Sequence, residues 1–220
     1  MSARRASRGA SGRGIAPLPD STPWTLIVYR VPTDSSRARV AVWRDLKRLG
    51  GLYLQQCVCV LPKTPLTDDE LASIRDRIAD LGGTSNLFEI AVDATQRADL
   101  VTEFRALAAR DYAEIIEECE AKFVKEIEFE RFRGNYTFEE VEEIRHDLEK
   151  IRRWFRRVVA RDWFGGPGRQ DAEAWIDRCA ELLDAFEDDV YAKAAEDDTR
   201  PLPPRSSGAA NARAGTNGAG

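Results

Sequence analysis

Residues 24–62 constrain the fold more than any other part of the chain. They open with WTLIVYRV, a nearly continuous run of apolar and β-branched residues, which predicts a buried strand. Pro32 ends that strand, and a helix is predicted to follow as far as about Leu49. The Gly-Gly pair at 50–51 stops the helix, and LYLQQ and CVCVLP then predict two short strands. The segment therefore predicts a compact unit in which one helix lies between strands.

The residues that follow complete an α/β unit. Thr67 and Glu70 have the spacing of a capping box, in which each side chain accepts a backbone N–H from the other residue. They open a predicted helix that runs to about Leu81, and TSNLFEIAV predicts the last strand. The resulting order βαββαβ is typical of a ferredoxin-like sandwich. The predicted fold class is therefore α+β.

The remainder of the ordered chain is predicted to be helical. Apolar stripes at helical spacing predict three helices, at about residues 93–124, 137–162 and 171–194. Asp171 is the expected N-cap of the third helix. The stripes would pack together as a small antiparallel bundle. The expected organisation is a disordered tail at residues 1–22, a ferredoxin-like α/β domain at 23–93, a three-helix domain at 94–195 and a second disordered tail at 196–220.

Composition and motifs narrow the classes of function. The net charge of −5 and the pI of about 5.2 exclude a globally basic nucleic-acid binder, but they leave room for a local basic patch. No apolar run approaches the roughly 18 residues of a membrane span, so no membrane association is expected. No phosphate-binding glycine loop or Ser-His-Asp arrangement is evident. We therefore expect a protein that is not an enzyme and that needs no cofactor.

The predicted first helix has a basic face. Four basic residues share one exposed side or its edge at about 100° per residue: Arg37, Arg44, Lys47 and Arg48. The opposite side is expected to pack on the sheet and contains Val42, Trp43, Leu46 and Leu49. Clustered arginine and lysine side chains neutralise phosphates, and the arginine fork can read guanine edges. The pattern predicts DNA binding by this face, and a solvated face that balances the acidic remainder is the alternative.

Three further patterns have both a chemical and a structural interpretation. Glu143 and His146 have the spacing of a bundle di-iron motif, but such a site needs two of these motifs and the chain has 1 His. Cys57 and Cys59 would face the same way on a strand and could bind a soft metal or reduce an oxyanion, whereas free Cys usually fills a core. Asp34 follows the first strand, where a metal-dependent nuclease would place an acid. We expect no metal site, and thiols that stay reduced in the cytoplasm.

The same segments resemble the N-terminal domain of the ChrB family of chromate-resistance proteins. The resemblance rests on WTLIVYRVPTDSSRARVAVWRDLKRLG followed by LYLQQCVCVLP, and on LEKIRRWFRRVVARDWF and the closing DDVY. It covers roughly residues 23–191, without the second domain that longer members carry. The resemblance implies a cytoplasmic bacterial regulator of a chromate-efflux operon, which binds double-stranded DNA and responds to chromate. Similarity to the ferredoxin-like domain of PaaX-type repressors further implies a homodimer.

A chromate effector would need an oxyanion site. Chromate is a dianion of phosphate-like shape, and arginine is well suited to tetrahedral oxyanions. Arg152 and Arg156 share one face of the predicted helix at 137–162, and Arg30 closes the first strand. We expect these three arginines to bind an oxyanion where the α/β and helical parts meet. Two other functions remain open: a non-catalytic protein-interaction module with an acidic helical bundle, and a metal-dependent nuclease-like domain.

Overall fold

The computed structural model describes residues 18–19, 21–32 and 36–199. In chain order its elements are β1 (Trp24–Arg30), α1 (Ser36–Arg48), β2 (Leu52–Gln55), β3 (Val58–Pro62), α2 (Pro65–Asp80), β4 (Thr84–Ile90), α3 (Ala94–Glu118), a π-helical turn (Cys119–Phe123), α4 (Val124–Arg133), α5 (Phe138–Val159) and α6 (Arg169–Thr199). The two predicted disordered tails lie mostly outside the described residues, and so does Asp34.

The four strands form one antiparallel sheet in the order β2-β3-β1-β4. β1 is a central strand, because Ile27 pairs with Cys59 of β3 on one side and with Leu87 of β4 on the other. An apolar, β-branched sequence suits this position, since both neighbours of the strand are hydrogen-bonded strands. The predicted α+β class is confirmed, and all strand pairs of the sheet are antiparallel.

Helices α1 and α2 share the core of this sheet. Val42 and Leu46 of α1 are fully buried, and so are Leu71 and Ile78 of α2. Their spacings of four and seven residues place each pair on one helical face, so each helix buries one stripe and exposes the rest. The exposed side of α1 is therefore fixed by the packing of its apolar side.

The start of α2 differs from the prediction. The N-cap is Thr64 rather than Thr67, and Pro65 occupies the first turn. Thr67 is the third helical residue: its hydroxyl accepts the backbone N–H of Thr64 at 2.8 Å and donates to the carbonyl of Pro62 at 2.8 Å. The predicted start was one turn too late, because Thr64 and Thr67 form the capping box between themselves and Glu70 takes no part in it.

The first predicted helix of the second part is longer than expected and is interrupted. It begins after the N-cap Asp93, passes through the π-helical turn and ends at Arg133, where Gly134 adopts a left-handed φ of 67°. The next helix begins after Thr137, as predicted. The last begins at Arg169, so Asp171 lies inside its first turn and is not its N-cap. Buried side chains of α3, α5 and α6 meet in a second core.

An aromatic cluster joins the sheet to the helices. The Trp24 ring of β1 stacks on Phe104 of α3, with 5.7 Å between centroids, and lies 5.5 Å from the ring of Phe164, which follows α5. Arg105 of α3 donates from Nε to the carbonyl of Phe164 at 3.0 Å. Because Trp24 begins β1, the helices pack against the end of the sheet at which β1 starts.

Candidate nucleic-acid interface

Helix α1 presents three of its predicted DNA-binding arginines on one exposed surface. Arg37, Arg44 and Arg48 all line a shallow depression of about 510 Å³ over the outer side of the helix. Within the described residues, Arg37 and Arg44 have no ion-pair partner. Lys47 is separate from them: it is half-buried and lines the cleft between α1 and α3. The structure thus brings three of the four predicted residues together.

Trp43 does not pack on the sheet as predicted. Its side chain is 48% exposed, and it lines a second surface groove with Val40, Tyr29 and Tyr53. The buried sector of α1 is centred on Ala38, and on Val42 and Leu46. Trp43 lies about 100° from Val42 around the helix, at the edge of the buried sector, and stays half-exposed beside Tyr29 of β1 and Tyr53 of β2.

Asp45 is the one acidic residue of α1, and the structure buries it. Only 5% of the surface of Asp45 is exposed. One carboxylate oxygen accepts from Nη1 of Arg77 in α2 at 2.7 Å, and the other lies 3.2 Å from Nη2 of Arg48. Both guanidinium groups also line the depression, so a fourth arginine joins the basic face of α1. We call the four residues Arg37, Arg44, Arg48 and Arg77 the arginine cluster.

Arg77 is not among the residues predicted from the sequence, because the pattern of either helix alone gives only a weak indication of its role. A lone Asp among the bases of α1 suggests an ion-pair partner, and Arg77 lies in the last turn of α2. The two residues are 32 positions apart, and pattern analysis of each helix does not fix how the helices are aligned. The pairing therefore depends on how α1 and α2 are aligned on the same sheet.

The two cysteines of the CVCV segment have different environments. Cys59 is fully buried in β3, and burial raises the pKa of its thiol to about 12 although nearby Lys47 opposes the shift. Cys57 lies in the turn before β3, is partly exposed and has a left-handed φ of 66°. The prediction that both thiols face the same way on a strand is wrong, because the β2–β3 turn takes Cys57 out of the strand.

The groove beside Trp43 contains a pair of tyrosines. The hydroxyls of Tyr29 and Tyr53 lie 3.0 Å apart in hydrogen-bonding contact. Burial raises the pKa of both phenols above its usual range, and for Tyr53 the hydrogen bond with Tyr29 adds to the rise. Both therefore remain neutral at physiological pH.

The three predicted oxyanion-binding arginines are not assembled in one place. Arg30 is exposed at the far end of β1 from Trp24, which packs on the helices. Arg152 of α5 is paired with Glu149 at 2.9 Å, and this contact, with help from Arg156, lowers the pKa of the Glu149 carboxyl. Arg152 and Arg156 share a face of α5, as predicted, but a site that also includes Arg30 at the joint is inconsistent with this placement.

The residues considered for metal binding are dispersed. Among the residues the structure describes, no group of three or more His, Cys, Asp and Glu side chains could hold a metal ion. His146 is exposed. Partial burial and a set of surrounding carboxylates raise the pKa of Glu126, which marks an acidic region between α4 and α5. Asp34, the candidate nuclease acid, lies outside the described residues.

The protein is an α+β protein with a four-stranded antiparallel sheet, a helical region packed on one end of the sheet, and an exposed arginine cluster on two helices. None of the helices in the described ranges is long and apolar enough to cross a membrane.

The chain belongs to the ChrB N-terminal family, as its sequence suggested. The family described as Protein ChrB, N-terminal, matches residues 39–197. One relative, Protein ChrB of Cupriavidus metallidurans, is 35% identical over 102 residues, which cover 44% of this chain and 30% of the relative. The match thus spans less than a third of that protein. No solved structure matches the chain significantly.

Proposed function

We propose that this chain is a transcriptional regulator of chromate resistance that binds double-stranded DNA through α1. The observation that carries the proposal is the exposure of Arg37, Arg44 and Arg48 on one surface of a chain whose net charge is −5. An acidic protein that concentrates arginines on one helix face has a local surface suited to phosphates. Membership of the ChrB N-terminal family supports a regulatory role and does not identify the DNA site.

We infer that the regulator consists of two parts. The order β2-β3-β1-β4, with α1 and α2 in one core, supports a ferredoxin-like α/β domain followed by a three-helix domain in which α3, the π-helical turn and α4 act as one helix. We propose that the regulator acts in the cytoplasm as a homodimer. Two copies would present two basic faces to two half-sites of one operator.

Chromate is the proposed effector. Arg152 and Arg156 on α5 remain candidate oxyanion-binding residues, and Arg30 would have to act apart from them. Chromate would change DNA affinity only if it binds one state of the protein better than the other. We propose that the regulator has no catalytic activity and needs no cofactor.

Gel-shift or fluorescence titration of the duplex upstream of the operon tests the proposal. The triple variant Arg37→Ala, Arg44→Ala, Arg48→Ala should lose affinity, and the slope of log K against log salt should fall by about 0.9 for each phosphate contact removed. The matched control replaces three exposed arginines of α5 and α6, Arg153, Arg157 and Arg178, with Ala and should leave the slope unchanged. Equal binding by wild type and the folded α1 variant would reject α1 as the interface.

Chromate and sulfate separate effector binding from general ionic effects. At matched ionic strength, chromate should change DNA affinity while sulfate does not, and heat of binding should accompany the change. If neither anion changes affinity or melting temperature, chromate does not act on this chain.

A specific observation favours a protein-interaction module as the second candidate. Phe132 of α4 is 88% exposed, and Phe129 of α4 and Tyr191 of α6 are 54% and 57% exposed. Large exposed apolar side chains beside many carboxylates suit a basic protein partner. A Phe132→Ser variant that loses a regulatory effect in cells while it retains DNA affinity would favour this function.

A further inference from the structure

The buried carboxylate in the basic face is the feature that the proposed function leaves unexplained. A surface that binds phosphates gains nothing from a negative charge, yet Asp45 lies beneath the arginine cluster with only 6% of its side chain exposed. A buried carboxylate is costly unless it is paired and hydrogen-bonded. Asp45 meets that requirement through Arg48 on its own helix and Arg77 on α2.

The two ion pairs leave both guanidinium groups available to a ligand. The side chains of Arg48 and Arg77 are 68% and 52% exposed, although each contacts Asp45. A guanidinium has five N–H donors, and the carboxylate contacts engage only some of them. The remaining donors lie at the same depression as Arg37 and Arg44, and the charged groups that line it have a net charge of +3.

We propose that Arg77 is a fourth phosphate-binding residue and that Asp45 is the positioning residue that holds Arg48 and Arg77 as a pair facing the DNA backbone. This inference rests on the proposed function and adds α2 to the interface. One carboxylate anchors two long side chains that would otherwise sample many rotamers. A ligand that binds the oriented pair then loses less side-chain entropy than one that binds two mobile arginines.

The net charge of the cluster and the positioning of its side chains predict opposite effects of an Asp45 replacement on phosphate binding. Replacement of Asp45 by Asn removes a negative charge from the cluster and would strengthen phosphate binding if charge alone mattered. If Asp45 positions the two guanidinium groups, Asp45→Asn should instead weaken binding. The sign of the change therefore separates the two explanations.

A purely structural role for Arg77 is the competing explanation. The Asp45–Arg77 pair connects α1 to α2, and its loss would lower stability whether or not DNA is bound. The salt dependence of DNA binding is a readout that a structural role does not change. Arg75 is a matched control, because it is exposed on the same helix and does not line the depression.

The test titrates the full-length chain with the upstream duplex at several salt concentrations. Arg77→Ala should bind about three- to tenfold more weakly at 0.15 M salt and lower the salt slope by about 0.9, whereas Arg75→Ala should match wild type. Arg77→Lys keeps the charge without the fork, so it should restore the slope but not the full affinity. Asp45→Asn should bind more weakly than wild type.

Folded Arg77→Ala that binds like Arg75→Ala overturns the role of Arg77, and tighter binding by Asp45→Asn overturns the positioning role. If Asp45→Asn fails to fold, as circular dichroism would show, the comparison of Arg77→Ala with Arg77→Lys decides the matter. Loss of binding in an Arg37→Ala, Arg44→Ala variant with retention in Arg77→Ala rejects this inference alone, whereas absence of binding by wild type rejects the proposed function as well.

Discussion

At the scale of single residues, the two cysteines of the CVCV segment lie in different environments. Cys57 and Cys59 are two positions apart in the sequence, yet one thiol is partly exposed in a turn and the other is enclosed between β3 and α1. Gly51 shows how tight that enclosure is: a Cβ at this position would lie 2.4 Å from Sγ of Cys59. Burial of this kind disfavours the thiolate, which is the reactive form.

We expect the two thiols to differ in reactivity. At pH 8, a thiol-titrating reagent should modify Cys57 in the native protein and reach Cys59 only after unfolding, because burial raises the pKa of Cys59 to about 12. A Cys57→Ser variant should lack the fast-reacting thiol. Rapid modification of Cys59 in the native state would contradict the buried placement of its side chain.

The same burial predicts a pH dependence of stability. The pKa of Cys59 is raised from 9.0 in the unfolded chain to about 12 in the folded protein, so its stabilising contribution is complete below pH 9 and is lost as pH rises toward 12. The free energy of unfolding should fall by up to about 1.4 kcal/mol per pH unit in that window. Urea denaturation at pH 8 and pH 10 measures the loss, and Cys59→Ala should reduce it.

At the scale of elements, hydrogen bonds at helix ends decide where the helices begin. Thr67 is fully buried, and its hydroxyl connects the N-cap residue of α2 to the end of β3 through Pro62. Asp171 sits in the first turn of α6, where its charge interacts favourably with the helix dipole and does not complete a cap. The two residues looked equivalent as sequence signals, but they differ in burial and in hydrogen bonding.

The two positions should therefore differ in their contributions to stability. Thr67→Ala should lower the free energy of unfolding by about 1–3 kcal/mol, because it leaves the Thr64 N–H and the Pro62 carbonyl without their partner. Asp171→Ala should change it by less than about 0.5 kcal/mol. Chemical denaturation of both variants makes the comparison, and an equal loss at the two sites would mean that Asp171 caps α6 after all.

At the scale of the whole molecule, the joint between the sheet and the helices is closely packed. Gly50, at the end of α1, has a left-handed φ of 79°, and a Cβ there would lie 2.8 Å from Cβ of Arg161 and 2.9 Å from Nε1 of Trp163. Arg161 is in turn paired with Asp111 of α3 at 2.9 Å. A glycine that ends the basic helix thus also allows the close approach of the segment after α5.

A pair of glycine variants tests this packing. Gly50→Ala should lower the free energy of unfolding by more than Gly165→Ala, because both have a left-handed φ but no atom lies within 4 Å of a Cβ at Gly165. The backbone strain common to both should cost about 1 kcal/mol, and the clash at Gly50 should add about 1–3 kcal/mol. Similar stabilities for the two variants in urea denaturation would show that the joint is loosely packed.

Local patterns were sufficient to predict most of the elements. The apolar run WTLIVYRV, the glycine pairs and the cap at Thr137 each act within a few residues of the chain. The strands, the helices and the α+β class could therefore be predicted from the sequence. The same local periodicity placed Arg37, Arg44 and Arg48 on one exposed face of α1. These features depend on steric and hydrogen-bonding rules that operate within one turn or one strand.

Only the tertiary structure decided how these elements share their surfaces. In the tertiary structure Trp43 is exposed, and Lys47 lines the cleft between α1 and α3. Cys57 lies in the turn before β3, and Arg77 pairs with Asp45. A helix periodicity identifies a face, but the width of its buried sector and the partner of a buried charge depend on which residues of other elements lie opposite. Those residues are fixed by packing on a common sheet, which relates positions far apart in the chain.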